Sequence, residues 1–399
     1  MSSAGWIISR RFLTLLEYVC KSMERRDFFK YSAGAALSAT LLGRATDVFA
    51  KDGPEEEDKY SVVILGDTHY DAMDPEVYHA GYTDPNPERE ANHRKEFVRN
   101  GEMWAERCPA LVYRAACLVD DDTRFVLQMG DLVQGDTASA ETHIRFLDDA
   151  MGLLKAGVAP DLPLVTVAGN HDLRGNDDAV ITQAYNDYMP ARLSRELGQD
   201  ITDTDFLFHC GPDAYLVINF GKTTLEKVEK LFDASMGARH TFVVVHSPVF
   251  PYESGKYWWW ILFGNRQDSR AEERRYARYL MASRNAIVLC GHTHRTELMD
   301  WFGDGGRITQ MTMSSVWAKE TQGEYTVLAS GADSYGSLSK FENGEVAKRL
   351  FDEYRPGISR YSHANAAGSY KLFVGDKDIY VDFYAGKSPR RSERFLLRP

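Results

Sequence analysis

Ile287-Val-Leu-Cys-Gly-His-Thr-His294 decides how the rest of the chain reads. Four apolar residues run into a glycine and then into two histidines one residue apart. A short apolar run closed by Gly predicts a buried strand that ends in a tight turn. Both imidazoles then leave one strand end and reach into one small volume. The same grammar recurs upstream. Ser61-Val-Val-Ile-Leu65 runs into Gly66-Asp67-Thr68-His69, and Phe125-Val-Leu-Gln-Met129 into Gly130-Asp131. Leu164-Val-Thr-Val-Ala168 runs into Gly169-Asn170-His171-Asp172, and Thr241-Phe-Val-Val-Val245 into His246-Ser247-Pro248.

Between these runs the pattern is mostly helical. Residues 70–122 form a long excursion. Asp71–Glu90 reads as loop, and Ala91–Asp120 as a helix with Phe97, Trp104, Leu111, Ala115 and Leu118 on one face. Further helices are expected around His143–Leu154, Thr224–Phe232 and Ser269–Ser283, and a strand at Ala214–Phe220. Residues 173–213 read as irregular and acidic. Arg307–Met313, Tyr325–Leu328, Tyr370–Val374 and Ile379–Tyr384 read as strands, the last two joined by a turn at Gly375–Asp378. The expected class is therefore α/β with an antiparallel set at the end. Ligand sites in open α/β sheets lie beyond the carboxyl ends of strands, so the five motifs should meet on one rim.

The collected residues are Asp67, His69, Asp131, Asn170, His171, Asp172, His246, His292 and His294. Carboxylate, imidazole and amide oxygen together suit Mn, Fe or Zn better than Ca or Mg. These are too many ligands for one ion. Two ions need a bridging group, and Asp131 is the best candidate. Two ions about 3.5–4 Å apart would clamp phosphoryl oxygens during in-line displacement. Each motif alone has a plainer reading: a strand-end polar pair, a turn, a buried histidine or a helix cap. Their joint occurrence in this order carries the inference.

Asp67-x-His69, Gly130-Asp131, Gly169-Asn-His-Asp172, His246 and Gly291-His-x-His294 resemble the signature of the calcineurin-like metallophosphoesterases, across roughly residues 61–294. The resemblance implies two β-sheets sandwiched and flanked by helices, with a dinuclear centre at the rim. It implies that Asp67, His69, Asp131 and His294 hold one ion, and Asp131, Asn170, His246 and His292 the other. It implies attack on a phosphate ester by metal-bound hydroxide. His171 would stabilise or protonate the leaving oxygen, oriented by Asp172. Purple acid phosphatases carry a tyrosine three residues after the bridging aspartate, where this chain has Gln134. The Asp-x-His and Gly-Asn-His-Asp forms are similar to bacterial class III cyclic nucleotide phosphodiesterases. On that likeness a phosphodiester ranks slightly ahead of a monoester.

Tyr257-Trp258-Trp259-Trp260 follows His246 closely. Trp258 and Trp259 read as a stacking platform for a base or sugar, or else as a packed loop, a helix start or a subunit contact. His93, Arg94 and Arg174 are candidates to meet phosphate oxygens, the alternative being surface solvation.

Met23-Glu-Arg-Arg-Asp-Phe-Phe-Lys30, an Ala-rich apolar run to Leu42 and Val48-Phe-Ala50 read as basic region, core and cleavage site of a signal peptide over residues 1–50. Arg25-Arg26 with Phe28-Phe29-Lys30 resembles the twin-arginine export signal, and Met23 is an alternative start. The expected location is periplasmic or secreted, with the twin-arginine export machinery as a partner and no membrane anchor after cleavage. Lys51–Tyr60 reads as a linker, and 61–399 as a single domain. The chain has 399 residues and formal net charge −11; residues 1–50 hold seven Lys/Arg and four Asp/Glu, leaving 40 against 54, or −14, beyond them. So acidic a body speaks against a stable nucleic-acid partner, whose binding rests on phosphate contacts to Lys and Arg. A small phosphate ester remains open, because two cations supply the charge where it matters. The alternatives are a metal-binding scaffold without catalysis and a metal-dependent nuclease. Cysteine spacing contains no Cys-x-x-Cys, and exported protein could pair the cysteines beyond residue 50.

Overall fold

The computed structural model describes residues 59–251, 260–303, 305–315, 325–337 and 344–398. The expected signal peptide, most of the linker, Trp258 and Trp259 lie outside the described residues.

Each apolar run of the motifs is a strand. In chain order the elements begin with β1 (Tyr60–Leu65), α1 (Glu76–His79), α2 (Pro87–Glu106), α3 (Cys108–Ala116), β2 (Thr123–Gln128), α4 (Ala140–Val158) and β3 (Leu164–Thr166). They continue with α5 (Asp178–Leu197), β4 (Phe206–Cys210), β5 (Asp213–Ile218), α6 (Leu225–Ala234), β6 (Thr241–Val245), α7 (Ala271–Ser283) and β7 (Ile287–Cys290). The remainder is β8 (Thr296–Gly303), β9 (Gly306–Thr312), β10 (Val327–Ser330), α8 (Glu345–Tyr354), β11 (Ile358–Ala364), β12 (Gly368–Val374), β13 (Ile379–Ala385) and β14 (Glu393–Arg398).

The strands make two mixed sheets, ordered β14-β13-β12-β1-β2-β3 and β10-β11-β8-β9-β7-β6-β5-β4. In the first, β1, β2 and β3 are parallel and β12–β14 antiparallel. In the second, β5, β6, β7 and β9 run parallel, with antiparallel neighbours on both sides. The period-2 alternation of a strand explains why a sandwich forms. Tyr215 and Val217, Phe242 and Val244, and Ile287 and Leu289 join one core with Val62, Val126 and Leu372 of the first sheet. Their neighbours Leu216, Val243 and Val288 turn the other way, against Val228 and Phe232 of α6 and Ala277 and Met281 of α7. A strand buried on both faces reads as a continuous apolar run, as these do.

Three readings are corrected. The stretch read as one helix, Ala91–Asp120, is split between two, because Cys108-Pro109 cannot continue α2, and Pro109 instead opens α3 at its first turn. Its first part carries the short α1, and α2 begins earlier than expected, capped by Asn86 accepting from the amides of Glu88 and Arg89. Residues 173–213 contain the 20-residue α5, capped by Asp177 and closed by Gly198 at φ 66°. The turn at Gly375–Asp378 is present, with Gly375 N donating to Asp378 O at 3.1 Å. Cys108, Cys117, Cys210 and Cys290 are free thiols, three of them buried.

Candidate metal centre

Because β1, β2, β3, β6 and β7 end on one edge, their following loops meet there. Backbone bonds lock them together: His69 N and Thr68 N both donate to Asp131 O, at 2.8 and 3.1 Å, and Gly291 N donates to His246 O at 3.0 Å. His69, Asp131, His292 and His294 have φ of 40, 49, 71 and 54°. The left-handed region costs such residues of the order of 1–3 kcal/mol each, and clusters of it mark sites where surrounding structure fixes a side chain. Gly130 (φ +85°) shares that conformation, whereas Gly291 is there for closeness: a Cβ would lie 2.3 Å from Asp67 Oδ1. Gly291→Ala should displace Asp67 and cut turnover by about 10²-fold, comparable to a ~1 Å misplacement at a reacting centre, while leaving the unfolding transition cooperative. Unchanged kinetics would contradict this role.

Donor atoms gather in three groups, each within 4.8 Å: Asp67, His69 and His294; Asp131, His246 and His292; and His69, Asp131 and His171. His294 Nε2 lies 3.0 Å from Asp67 Oδ2 and 3.1 Å from His69 Nε2. His246 Nε2 lies 3.2 Å from Asp131 Oδ2 and 3.2 Å from His292 Nδ1. His69 Nε2 is 3.6 Å from the same Asp131 oxygen. Asp131 thus stands between both main groups.

These residues fit a pair of cations. Asn170 Oδ1 is buried without a hydrogen-bond partner. Ring nitrogens about 3 Å apart need a proton or a cation between them. His246 donates from Nδ1 to Met129 O at 2.7 Å, which turns Nε2 toward Asp131, the arrangement that orients metal-ligating imidazoles. Burial works against charge on His246, but Asp131 and Asp67 override it and hold the ring up at about 10. Burial brings His69 down to about 4 against the pull of Asp131, and burial with His246 brings His292 to about 3. Asp131 is buried, yet His246 and His171 hold its carboxyl well below the usual range. His69 and His292 are thus neutral beside an ionised carboxylate, the states that a cation takes as ligands, whereas His246 is held protonated by the two carboxylates and would release that proton to a cation.

His171 enters the site from the turn after β3. Its amide donates to Asp131 Oδ1 at 2.8 Å, and its Nδ1 donates to Gln134 O at 2.9 Å. Nε2 is therefore the ring's reactive nitrogen, beside the His69 ring at 4.5 Å between centroids. Burial and Arg174 push His171 well below the ordinary imidazole range.

Asp172 does not orient the His171 ring. Its oxygens accept from Val133 N at 3.1 Å and Gly169 N at 2.8 Å, tying the turn after β2 to the turn after β3. Burial and Asp131 raise its carboxyl to about 7, against those two bonds. Asp172→Asn puts an amide donor against a backbone N–H, so it should cost about 1–3 kcal/mol in denaturant unfolding. An orienting residue would instead lose turnover at unchanged stability.

The excursion supports the site from behind. Trp104 Nε1 donates to Thr68 O and His69 O at 2.9 and 3.0 Å. Asn100 Nδ2 donates to Gln134 Oε1 at 2.6 Å, and Gln134 Nε2 to Glu96 Oε2 at 3.1 Å. Ser315 Oγ holds Asp67 O at 2.8 Å. Gln134, Asn100 and Ser315 carry no sequence signal for this work, since it depends on contacts distant in the chain.

A cleft of about 870 Å³ opens beside Asn170 and is lined by His93, Arg174, Phe220 and Trp260 among others. Arg94 does not face it: its guanidinium bonds Tyr82 O and Glu90. Trp260 and Phe220 lie against the His292 ring, at 4.9 and 5.8 Å between centroids.

Two donor groups at a sandwich rim, with the Asp131 carboxylate between them, are suited to a metal-dependent hydrolase centre. The chain belongs to the calcineurin-like phosphoesterase family, whose model matches residues 60–296. No curated protein matches it. Solved structures of similar chain trace include PhoD, 11% identical, with 85% of this chain on 68% of that one and a TM-score of 0.47. Others are GAP50, the anchor in the inner membrane complex of Plasmodium (12%, 85% on 89%, TM-score 0.42), and a dimetal phosphatase from Danio rerio (11%, 85% on 98%, TM-score 0.46).

Proposed function

We propose that this metal-dependent phosphoester hydrolase holds two cations of Mn, Fe or Zn. Asp67, His69, Asp131 and His294 take one, and Asp131, Asn170, His246 and His292 the other. The observation that supports this is the position of Asp131 between two donor groups. When bound, the cations would activate the attacking water and offset the phosphoryl charge. The chain's own residues set the rest. The Met129 carbonyl fixes His246. The Gln134 carbonyl fixes His171, whose Nε2 addresses the leaving oxygen. Small phosphate esters are the substrates, with diesters ahead of monoesters on the motif resemblance alone. Residues 23–50 support export by the twin-arginine route to the periplasm or medium.

Hydrolysis of bis-p-nitrophenyl phosphate and p-nitrophenyl phosphate, compared on chelated protein restored separately with Mn, Zn and Fe, tests this reading. Metal-restored turnover with the diester ahead is expected. Faster monoester turnover overturns the substrate ranking. No turnover with two metals bound overturns the enzyme reading in favour of a scaffold.

A further inference from the structure

Trp260 ends the run Tyr257-Trp258-Trp259-Trp260 and is its one described member. It closes a row of four rings that begins at the metal centre. His246 and His292 stand 5.0 Å apart between centroids. Phe220 lies 5.7 Å from His246 and 5.8 Å from His292, and Trp260 lies 4.9 Å from His292. His246 is fully buried and Phe220 half-buried, whereas Trp260 is 36% exposed. The row thus starts at two donor residues and ends on an open indole.

Two clefts meet at that indole. Phe220, Gly221 and Trp260 line both the cleft beside Asn170 and a second one of about 380 Å³ beside Ser247. Gly221 keeps the space next to Phe220 open, since a Cβ there would meet no heavy atom within 4 Å. Charge does not decide what fits. Arg174 pairs with Asp136 and Arg89 with Asp84, but Lys222 is exposed and makes no ion pair, and Asp177 and Asp178 in the same lining are exposed as well. Both signs are therefore on offer, and the apolar wall is left to discriminate. A large aromatic side chain in a concave site gains from being covered. Its π face gains further when the cover is another ring, in offset or edge-on contact.

We infer that Trp260 is a specificity-determining residue that stacks on a planar aromatic ring carried by the substrate, so the preferred phosphate esters bear an aromatic group close to the phosphorus. The inference rests on the phosphoesterase reading above and adds to it the class of organic group. Contact between Trp260 and His292 sets the reach: a phosphoryl group held at the second donor group has the indole beside its nearest substituent.

The test measures binding of benzylphosphonate and cyclohexylmethylphosphonate to the metal-loaded protein by calorimetry, each as such and as its methyl ester. The two carry the same charge and nearly the same volume, and differ in the π face. Benzylphosphonate should bind about threefold or more tighter, the range for an aromatic pair beyond its burial. Trp260→Leu keeps an apolar side chain against His292 and removes the indole, so the ratio should fall to about one or below; Trp260→Phe should restore the preference. A merely structural role, steadying His292, would weaken both phosphonates together and lower the metal content of Trp260→Leu. Equal or tighter binding of the cyclohexyl compound by the wild type overturns the inference, as does a ratio unchanged in Trp260→Leu. The wild-type comparison stands if a variant fails to fold. If neither phosphonate binds while the p-nitrophenyl standards are hydrolysed, the inference falls alone; if neither standard is hydrolysed, the phosphoesterase reading falls with it.

Discussion

Asp131→Ala is expected to remove bound metal and activity together. Its Oδ2 lies 3.2 Å from His246 Nε2 and 3.6 Å from His69 Nε2, so one carboxylate lies between both donor groups. Its Oδ1 also accepts the His171 amide, and its carbonyl accepts the amides of Thr68 and His69. The substitution keeps the carbonyl and deletes the carboxylate. Two cations contribute several kcal/mol of charge stabilisation, so their loss should lower turnover by roughly 10³-fold or more. Metal analysis of the purified variant is the readout. Retention of two ions at wild-type affinity would show that Asp131 is no bridge.

His171→Ala should behave in the opposite way: both ions stay, and turnover falls by roughly 10²–10⁴, the range for a positioned proton-transfer group. The geometry makes this a sharp test, because His171 also completes a third donor group with His69 and Asp131. Its Nδ1–H is committed to the Gln134 carbonyl, which leaves Nε2 able either to address a leaving oxygen or to ligate. Loss of one ion from His171→Ala would make it a ligand and remove its assigned role.

The strands and strand-end residues were legible because two local signals coincide there: an apolar run and a turn residue followed by a donor side chain. That coincidence located β1, β2, β3, β6 and β7 and the loops that follow them. Helix α5 was not legible because Pro190 sits inside it and polar residues dilute its apolar spacing, although Asp177 and Gly198 mark its ends. Asp172 was misread for a physical reason. Adjacent residues in a helical turn do not face each other, so its place beside His171 in the chain said nothing of contact between their side chains. Residues such as Gln134, Asn100 and Asp136 act through partners 30 or more positions away, and no local pattern records such pairs.

The central claim is a two-cation centre built around Asp131, and titration of metal into the chelated protein tests it most directly. Turnover of bis-p-nitrophenyl phosphate would be followed against equivalents of Mn or Zn bound per chain. Turnover should stay low through the first equivalent and rise with the second, reaching its plateau at two. A plateau at one equivalent, or turnover without metal, would contradict the account.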